Sequence, residues 1–197
     1  MNKSDTQENN PELKNKIIDA ARELFVKKGY YHTNMPDIVK SAKVSIGAVY
    51  HYFKGKESLA KEIHDYSVQL LEENFQNKIL IHNTARERVH TFIKMMFEWT
   101  ENDPVLVEYL LFARPQDIFN EKISICSSEG FILVMDIIKY GQQNSEIKDG
   151  DPYPYYTILS GSVSRYIELY LEKKLTQPIT DYIETAYEIT WNAIKKE

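Results

Sequence analysis

The sequence is poor in residues that break helices and has almost no cysteine. Its 197 residues include seven glycines and seven prolines, too few for the many turns of a β-sandwich or β-barrel of this length. We therefore expect a mostly helical fold. The one cysteine, Cys126, excludes an internal disulfide framework and any zinc site built from several thiolates.

The sequence also has no long apolar run. Its richest stretch, residues 131–135, stops at Asp136, whereas a transmembrane helix needs about 18 or more apolar residues in succession. The first residues are polar and show no signal-peptide pattern. Together with the single cysteine, these absences predict a cytoplasmic protein without a membrane partner.

Charged residues are distributed unevenly along the chain. The formal net charge is −5, but residues 1–57 contain ten Lys or Arg against seven Asp or Glu, while residues 58–197 contain fourteen against twenty-two. The N-terminal part is thus positive and the rest is negative. Such an asymmetry favours an end that faces a polyanion, attached to an acidic body.

Helix start and stop signals divide the chain into about nine predicted helices. Residues 1–10 are polar, and we expect them to be flexible. Asn10 followed by Pro11 is typical of an N-cap and a first helical position. Lys28 followed by Gly29 is typical of a helix end. The first helix is therefore predicted from Pro11 to Lys28.

Two short helices and a long one are predicted next. We expect Thr33 to cap the first short helix and Ser45 to cap the second. The long helix is predicted over residues 56–81, with Tyr66 on its apolar side. Turn signals separate five further helices, predicted over residues 84–100, 104–113, 129–140, 152–173 and 178–195.

A longer helix followed by two short helices around a short turn is the arrangement of a helix-turn-helix, whose last helix can enter the major groove of DNA. The residues here resemble the DNA-binding domain of the TetR family of transcriptional regulators. The match in residue type and spacing extends from residue 17 to residue 59. The segments that carry it are residues 17–25, 28–30, 37–38 and 44–59, with Thr33.

The resemblance implies a TetR-like, all-α fold with a DNA-binding domain at residues 11–55 and a ligand-binding and dimerisation domain at residues 56–197. It implies a homodimeric transcriptional regulator, in particular a repressor that leaves a palindromic operator in double-stranded DNA when a small, mostly hydrophobic effector binds. A helical protein-interaction module and an activator of the same fold are the alternatives that the sequence leaves open.

The expected DNA-binding residues combine hydroxyls at helix starts, small residues that allow close approach to base edges, and aromatic or basic side chains. They are Thr33, Lys43, Ser45, Ile46, Gly47, Ala48, Tyr50, His51, Tyr52, Lys54 and Lys56. The resemblance implies that Tyr50 and Tyr52 meet the DNA backbone and that His51 faces bases or phosphates. Val49 and Phe53 are expected in the core.

The lysines among these residues are expected to contact phosphates. Lys56 opens the long helix, where its ammonium group and the helix N-terminus would both attract a phosphate. Lys43 departs from the family pattern, in which glycine is common at this position of the turn. A positive φ there would strain a lysine by roughly 1–2 kcal/mol relative to glycine, while its charge would lie near DNA.

The C-terminal part is rich in aromatic residues and methionine, which suit an adaptable apolar pocket. The same composition is found in an ordinary core, and the resemblance favours the pocket. The expected ligand-binding residues are Phe92, Met96, Glu108, Tyr109, Phe112, Met135 and Tyr156.

The last two helices combine small residues with large apolar ones, which predicts a homodimer interface built as a four-helix bundle. The expected interface residues are Ile158, Ser162, Tyr166, Leu169, Tyr182, Ala186, Tyr187 and Ile194.

Sequence motifs of the common enzyme classes are missing. None of the five histidines pairs with another at a metal-ligand spacing on a helix. Neither a Walker loop nor a dinucleotide-binding fingerprint occurs, and Cys126 has no signature of a catalytic thiol near it. We therefore expect no enzymatic activity, no metal site and no cofactor.

Overall fold

The computed structural model describes residues 10–112 and 129–197, and within them it contains nine α-helices and no strand. The helices are α1 (Pro11–Lys28), α2 (Met35–Ala42), α3 (Ile46–Tyr52), α4 (Lys56–Asn74), α5 (Ala85–Asn102), α6 (Pro104–Phe112), α7 (Glu129–Gln143), α8 (Pro152–Leu171) and α9 (Ile183–Ile194). A π-helical turn (Phe75–Ile79) continues α4, and a 3₁₀ turn (Ile179–Tyr182) precedes α9. The predicted all-α fold is confirmed, whereas Cys126 and residues 1–9 of the predicted flexible segment lie outside the described residues.

The ends of α1 are set by the residues that the sequence indicates. The Asn10 side chain accepts hydrogen bonds from the backbone N–H groups of Glu12 and Leu13, at 3.1 and 3.3 Å. At the other end, Gly29 has φ +83° and its N–H donates to the carbonyl of Phe25 at 3.0 Å. The cap satisfies free N–H groups of the first turn, and glycine adopts a positive φ without Cβ strain. The predicted bounds of α1 are therefore confirmed.

The described chain divides into two units, and residues 10–66 with Phe112 belong to the first. Helices α1, α2 and α3 pack against one another in this unit. Its buried apolar side chains include Ile17, Phe25, Ile38, Val49, Phe53, Leu59 and Ile63. Each large side chain that is fully buried stabilises the fold by about 1.5–3 kcal/mol, so this small core can hold the two short helices in place.

The second unit comprises residues 67–111 and 129–197. Helix α5 is its centre, since it packs against α7, α8, α9 and the 3₁₀ turn. Its buried residues are Ala85, Val89, Phe92, Ile93, Met95, Met96, Phe97 and Thr100. The carboxylate of Glu146 accepts from the backbone N–H groups of Ala85 and Arg86 at 2.9 and 3.3 Å, which satisfies donors that the first turn of α5 leaves free.

The long helix predicted over residues 56–81 is α-helical only to Asn74 and then π-helical through Phe75–Ile79. Tyr66, expected on its apolar side, is 55% exposed, so that expectation is wrong. The buried positions recur at every fourth residue, at Leu59, Ile63, Ser67, Leu71, Phe75 and Ile79. Tyr66 lies about 100° around the helix from Ser67, which removes it from the buried side.

The sequence predicts that no helix spans a membrane, and this prediction depends on helix length and hydropathy. Among the helices described above, none is both long and apolar enough to cross a lipid bilayer.

Candidate nucleic-acid interface

The turn between α2 and α3 holds a lysine in the left-handed backbone conformation. Lys43 has φ +55° and ψ +44°, and its N–H and that of Val44 both donate to the carbonyl of Val39. This conformation costs a residue other than glycine about 1–2 kcal/mol. The side chain is exposed. The turn therefore carries a positive charge that glycine would not provide, at the cost of backbone strain.

Helix α3 is fixed by a cap at its start and by two buried side chains. The Ser45 hydroxyl accepts from the N–H of Ala48 at 3.1 Å, which confirms Ser45 as the N-cap. Val49 is 0% exposed and Phe53 is 3% exposed, as expected for core residues. Because a helix turns by about 100° per residue, these anchors leave the opposite side of α3 open.

The open side of α3 forms a continuous exposed face, which we call the α3 face. Its residues are Ile46, Gly47, Tyr50, His51 and, just after the helix, Lys54. Ile46 and Tyr50, one turn apart, are 50% and 52% exposed. All five belong to the predicted DNA-binding set, and the structure brings them together on one surface.

Gly47 has room around it that the protein itself does not fill. A Cβ atom added there would meet only the Ser45 Oγ atom, at 4.0 Å. Internal packing therefore does not require glycine at this position. The open space suits the close approach of another molecule to the helix backbone, which favours the DNA interpretation over the packing interpretation.

Thr33 does not cap α2, so that prediction is wrong. Its hydroxyl donates to the carbonyls of Leu24 and Gly29, at 3.2 and 3.0 Å, and the residue is only 1% exposed. The N-cap is Asn34, which forms a capping box with Asp37. The spacing of Asn34 and Asp37 was the sequence signal for this cap. The buried Thr33 hydroxyl has no surface to offer a phosphate.

Tyr52 and Lys56 also have partners within the protein. The Tyr52 hydroxyl accepts from the N–H of Asn10 at 3.0 Å and donates to the Asn10 carbonyl at 3.3 Å. The Lys56 ammonium group donates to the carbonyls of Tyr30 and Thr33 at 2.8 and 2.9 Å. Sequence reasoning missed these contacts because they join residues that are 23 to 42 positions apart.

Comparison with known proteins bears on this helix-turn-helix directly. The family model of bacterial regulatory proteins of the tetR family matches residues 17–63. The fatty acid metabolism regulator protein of Bacillus subtilis (strain 168) is 32% identical over 141 residues, which cover 68% of this chain and 70% of that protein. The chain belongs to the TetR family. It is a DNA-binding transcriptional regulator.

A further relative and a solved structure of similar fold match this TetR-family protein over most of its length. The HTH-type transcriptional regulator QacR of Staphylococcus aureus is 26% identical over 170 residues, covering 85% of this chain and 90% of QacR. The crystal structure of the regulator FadR from Bacillus subtilis, in complex with stearoyl-CoA, has a TM-score of 0.70 at 21% identity, covering 91% and 98% of the two chains. These relatives are regulators and not enzymes, in agreement with the sequence prediction.

The residues predicted to bind a ligand occupy different environments in the TetR-family chain. Four are buried: Phe92, Met96, Tyr109 and Met135. Tyr156 is half-buried, with its ring centroid 4.5 Å from that of Phe131. Phe112 is 43% exposed. Phe92 and Met96 belong to the large core cluster of the second unit, and Tyr156 packs against that cluster.

Glu108 is the one carboxylate among the predicted ligand-binding residues. It is half-buried on α6, whose other residues are all apolar or aromatic. Burial raises the pKa of Glu108 above that of an ordinary glutamate, because desolvation disfavours the charged form.

In the described residues no three His, Cys, Asp or Glu side chains lie together in a way that could hold a metal ion.

Three of the predicted dimer-interface residues are core residues instead. Ala186, Tyr187 and Ile194 are 1%, 8% and 0% exposed, because they lie on the side of α9 that packs in the core with α5. Ser162 accepts a hydrogen bond from Thr190 at 3.4 Å. The other four expected residues remain at least partly exposed: Ile158, Tyr166, Leu169 and Tyr182.

Helices α8 and α9 pack together, and each has exposed residues that the sequence only partly indicated. Ile158 on α8 is 37% exposed and Ile189 on α9 is 61% exposed. A Cβ atom added at Gly161, between them in the chain, would meet nothing within 4 Å. We call these three residues, with Arg165, the α8/α9 face. The exposure of Ile189 was missed because the apolar stripe chosen on α9 was the buried one.

Proposed function

We propose that this regulator is a repressor that binds a palindromic operator as a homodimer and releases it when a small, mostly hydrophobic effector binds. The α3 face carries the proposal, because it is exposed, has an open backbone position at Gly47 and is framed by lysines. In this proposal residues 11–55 form the DNA-binding domain, and residues 56–197 bind the effector and form the dimer.

The side chains on and beside the α3 face suggest that some residues provide affinity for DNA and others select the sequence. We assign to Lys43, Lys54 and Tyr50 contacts with phosphates, which position the protein without selecting a sequence. Ile46 suits a thymine methyl group. His51 is exposed in the last turn of α3, its ring nitrogens can donate to or accept from base edges, and we assign it the selection of bases.

The operator experiment starts from binding-site selection with a random-sequence duplex library, followed by fluorescence anisotropy with the selected duplex. We expect an inverted repeat with half-sites about one helical turn, or 34 Å, apart. Replacing His51 by alanine should change the preference at one or two base pairs by roughly 1–3 kcal/mol, whereas Tyr50→Ala should weaken all duplexes alike. An unchanged preference in His51→Ala would remove His51 from this role.

The direction of regulation is tested in cells. A reporter gene placed behind the selected operator should be expressed more strongly when the regulator is deleted. Lower expression after deletion would instead identify an activator.

The proposed effector is mostly apolar with one polar or charged end. The buried Phe92 and Met96 supply apolar surface, and the half-buried Glu108 supplies a polar group. Helix α4 begins in the first unit and ends in the second, so a ligand that prefers one position of this helix can change DNA affinity. A coupling of about 1–3 kcal/mol corresponds to a 5- to 150-fold change in operator binding.

Stearoyl-CoA is the first compound to test, because the FadR structure that resembles this chain contains it. We expect stearoyl-CoA to release the labelled operator and to raise the thermal unfolding midpoint of the free protein, since a ligand of the native state stabilises it. Coenzyme A and stearate, each alone, are the matched controls. If none of the three changes operator binding, stearoyl-CoA and stearate are excluded as effectors.

A further inference from the structure

The loop between α1 and α2 is held from two sides within the first unit. From the side of α1, the Thr33 hydroxyl bonds to the carbonyls of Leu24 and Gly29. From the side of α4, the Lys56 ammonium group bonds to the carbonyls of Tyr30 and Thr33. The helix-turn-helix begins directly after this loop, at Met35.

Lys56 is a half-buried side chain whose ammonium group has several partners within the protein. Its ammonium nitrogen lies 4.1 Å from the centroid of the Tyr30 ring, a distance at which a cation is attracted to an aromatic face. An ammonium group has three N–H donors, and two are used by the loop carbonyls. Partial burial lowers the pKa of Lys56, which agrees with a side chain partly shielded from water.

A phosphate ligand and a structural clamp require different geometries of a lysine. A lysine that neutralises a phosphate needs its ammonium group free to approach DNA, as at the exposed Lys54. Lys56 has one N–H donor that the loop carbonyls do not use, and to approach DNA as freely as Lys54 it would have to leave two carbonyls and an aromatic ring. The bonds to the two carbonyls are charge-assisted, so Lys56 loses them when it moves toward DNA, whereas the exposed Lys54 has no such bonds to lose in the hydrogen-bond network described above.

We propose that Lys56 is a positioning residue for DNA binding: it holds the α1–α2 loop, and with it the start of the helix-turn-helix, against the beginning of α4, and it does not bind a phosphate. The proposal rests on the proposed DNA contacts of the α3 face. It replaces the phosphate role that the sequence indicates for Lys56.

Salt dependence separates the two roles. Each neutralised phosphate contributes about 0.9 to the slope of log K against log salt concentration. We would compare Lys56→Met with Lys54→Met, which removes the neighbouring exposed charge. Both variants are measured in anisotropy with the duplex that the wild type selects and with a scrambled duplex of equal length, below their thermal unfolding midpoints.

We expect Lys56→Met to bind the selected duplex about tenfold more weakly, the equivalent of one charge-assisted hydrogen bond, with the wild-type slope. Binding to the scrambled duplex should weaken less, because a displaced α3 affects sequence-specific contacts most. Lys54→Met should lower the slope by about 0.9 for both duplexes. The proposal would be overturned if the slope fell by the same amount in Lys56→Met. It would also be overturned if Lys56→Met bound with wild-type affinity or lost equal affinity for both duplexes.

A second variant tests the clamp without changing charge. Tyr30→Leu removes the ring beneath the ammonium group, and we expect weaker binding of the selected duplex with an unchanged slope. Wild-type binding by this variant would count against the clamp. Failure of the wild type to show any salt-dependent binding to the selected duplex would instead contradict the proposed DNA contacts themselves.

Discussion

At the scale of single residues, Lys43 combines backbone strain with an exposed charge. We expect Lys43→Gly to increase the free energy of unfolding by about 0.5–1 kcal/mol, since relief of the left-handed strain exceeds the entropy that glycine gains in the unfolded chain. The same variant should lower the salt slope of DNA binding by about 0.9. Urea denaturation and anisotropy measure the two effects. Lys43→Ala is the matched control. It keeps the backbone strain, so we expect it to lower the salt slope without increasing the free energy of unfolding.

Glu108 makes stability depend on pH in a predictable direction. Its pKa in the folded protein is raised by burial, so its contribution to stability is present below the unfolded pKa and is lost as pH rises through the folded pKa. We therefore expect Glu108→Gln to have a larger free energy of unfolding than the wild type at neutral pH, with the difference shrinking toward acid. Urea denaturation at a series of pH values checks this, and a difference independent of pH would contradict it.

At the scale of elements, the end of α7 depends on a close approach that only glycine permits. A Cβ atom at Gly141 would lie 2.5 Å from the Ile147 Cδ1 atom and 2.8 Å from the Ala85 Cβ atom. We expect Gly141→Ala to lower the free energy of unfolding by about 1–3 kcal/mol. In the same helix, Gly130→Ala should be neutral or stabilising by up to about 1 kcal/mol, since its nearest neighbour, on Leu71, is 3.6 Å away. Equal losses in thermal unfolding would rule out packing as the cause.

Helix ends were predictable wherever the signal is local. Asn10 and Ser45 cap α1 and α3 as expected, because a cap bonds to N–H groups two or three residues away. At the start of α2 a local signal was also present, since Asn34 and Asp37 have the spacing of a capping box. Thr33 was chosen instead, although its hydroxyl bonds to the distant carbonyl of Leu24.

The exposed side of α3 was predictable from helical periodicity, but the hydrogen bonds that Tyr52 and Lys56 make within the protein were not. Burial of Val49 fixes which side of α3 is exposed, whereas the partners of Tyr52 and Lys56 lie far away in the sequence. The apolar stripe of α9 shows a related difficulty. An apolar stripe on a helix predicts that this side is buried. It does not tell whether the same chain or a second chain buries it, and so Ala186 was assigned to the dimer interface and not to the core.

At the scale of the whole molecule, we expect the α8/α9 face to form the interface of the proposed dimer. A two-fold interface contains each substituted residue twice, so we expect Ile189→Glu to weaken dimerisation by about tenfold or more. Sedimentation velocity at micromolar concentration should show monomer, and operator affinity should fall with it. Ile132→Glu alters an isoleucine on α7 that is 46% exposed and should stay dimeric. Identical dimers in both variants would place the interface elsewhere.

The π-helical turn that ends α4 bears on how the length of this chain can vary in evolution. The N–H of Leu80 donates to the carbonyl of Phe75 at 3.1 Å, five residues back, where an α-helix would bond four residues back. Such a turn accommodates one additional residue while the buried Phe75 and Ile79 keep their places. Relatives that continue α4 without it should be one residue shorter here, and an alignment gap of a single position between residues 75 and 80 would mark an inherited insertion.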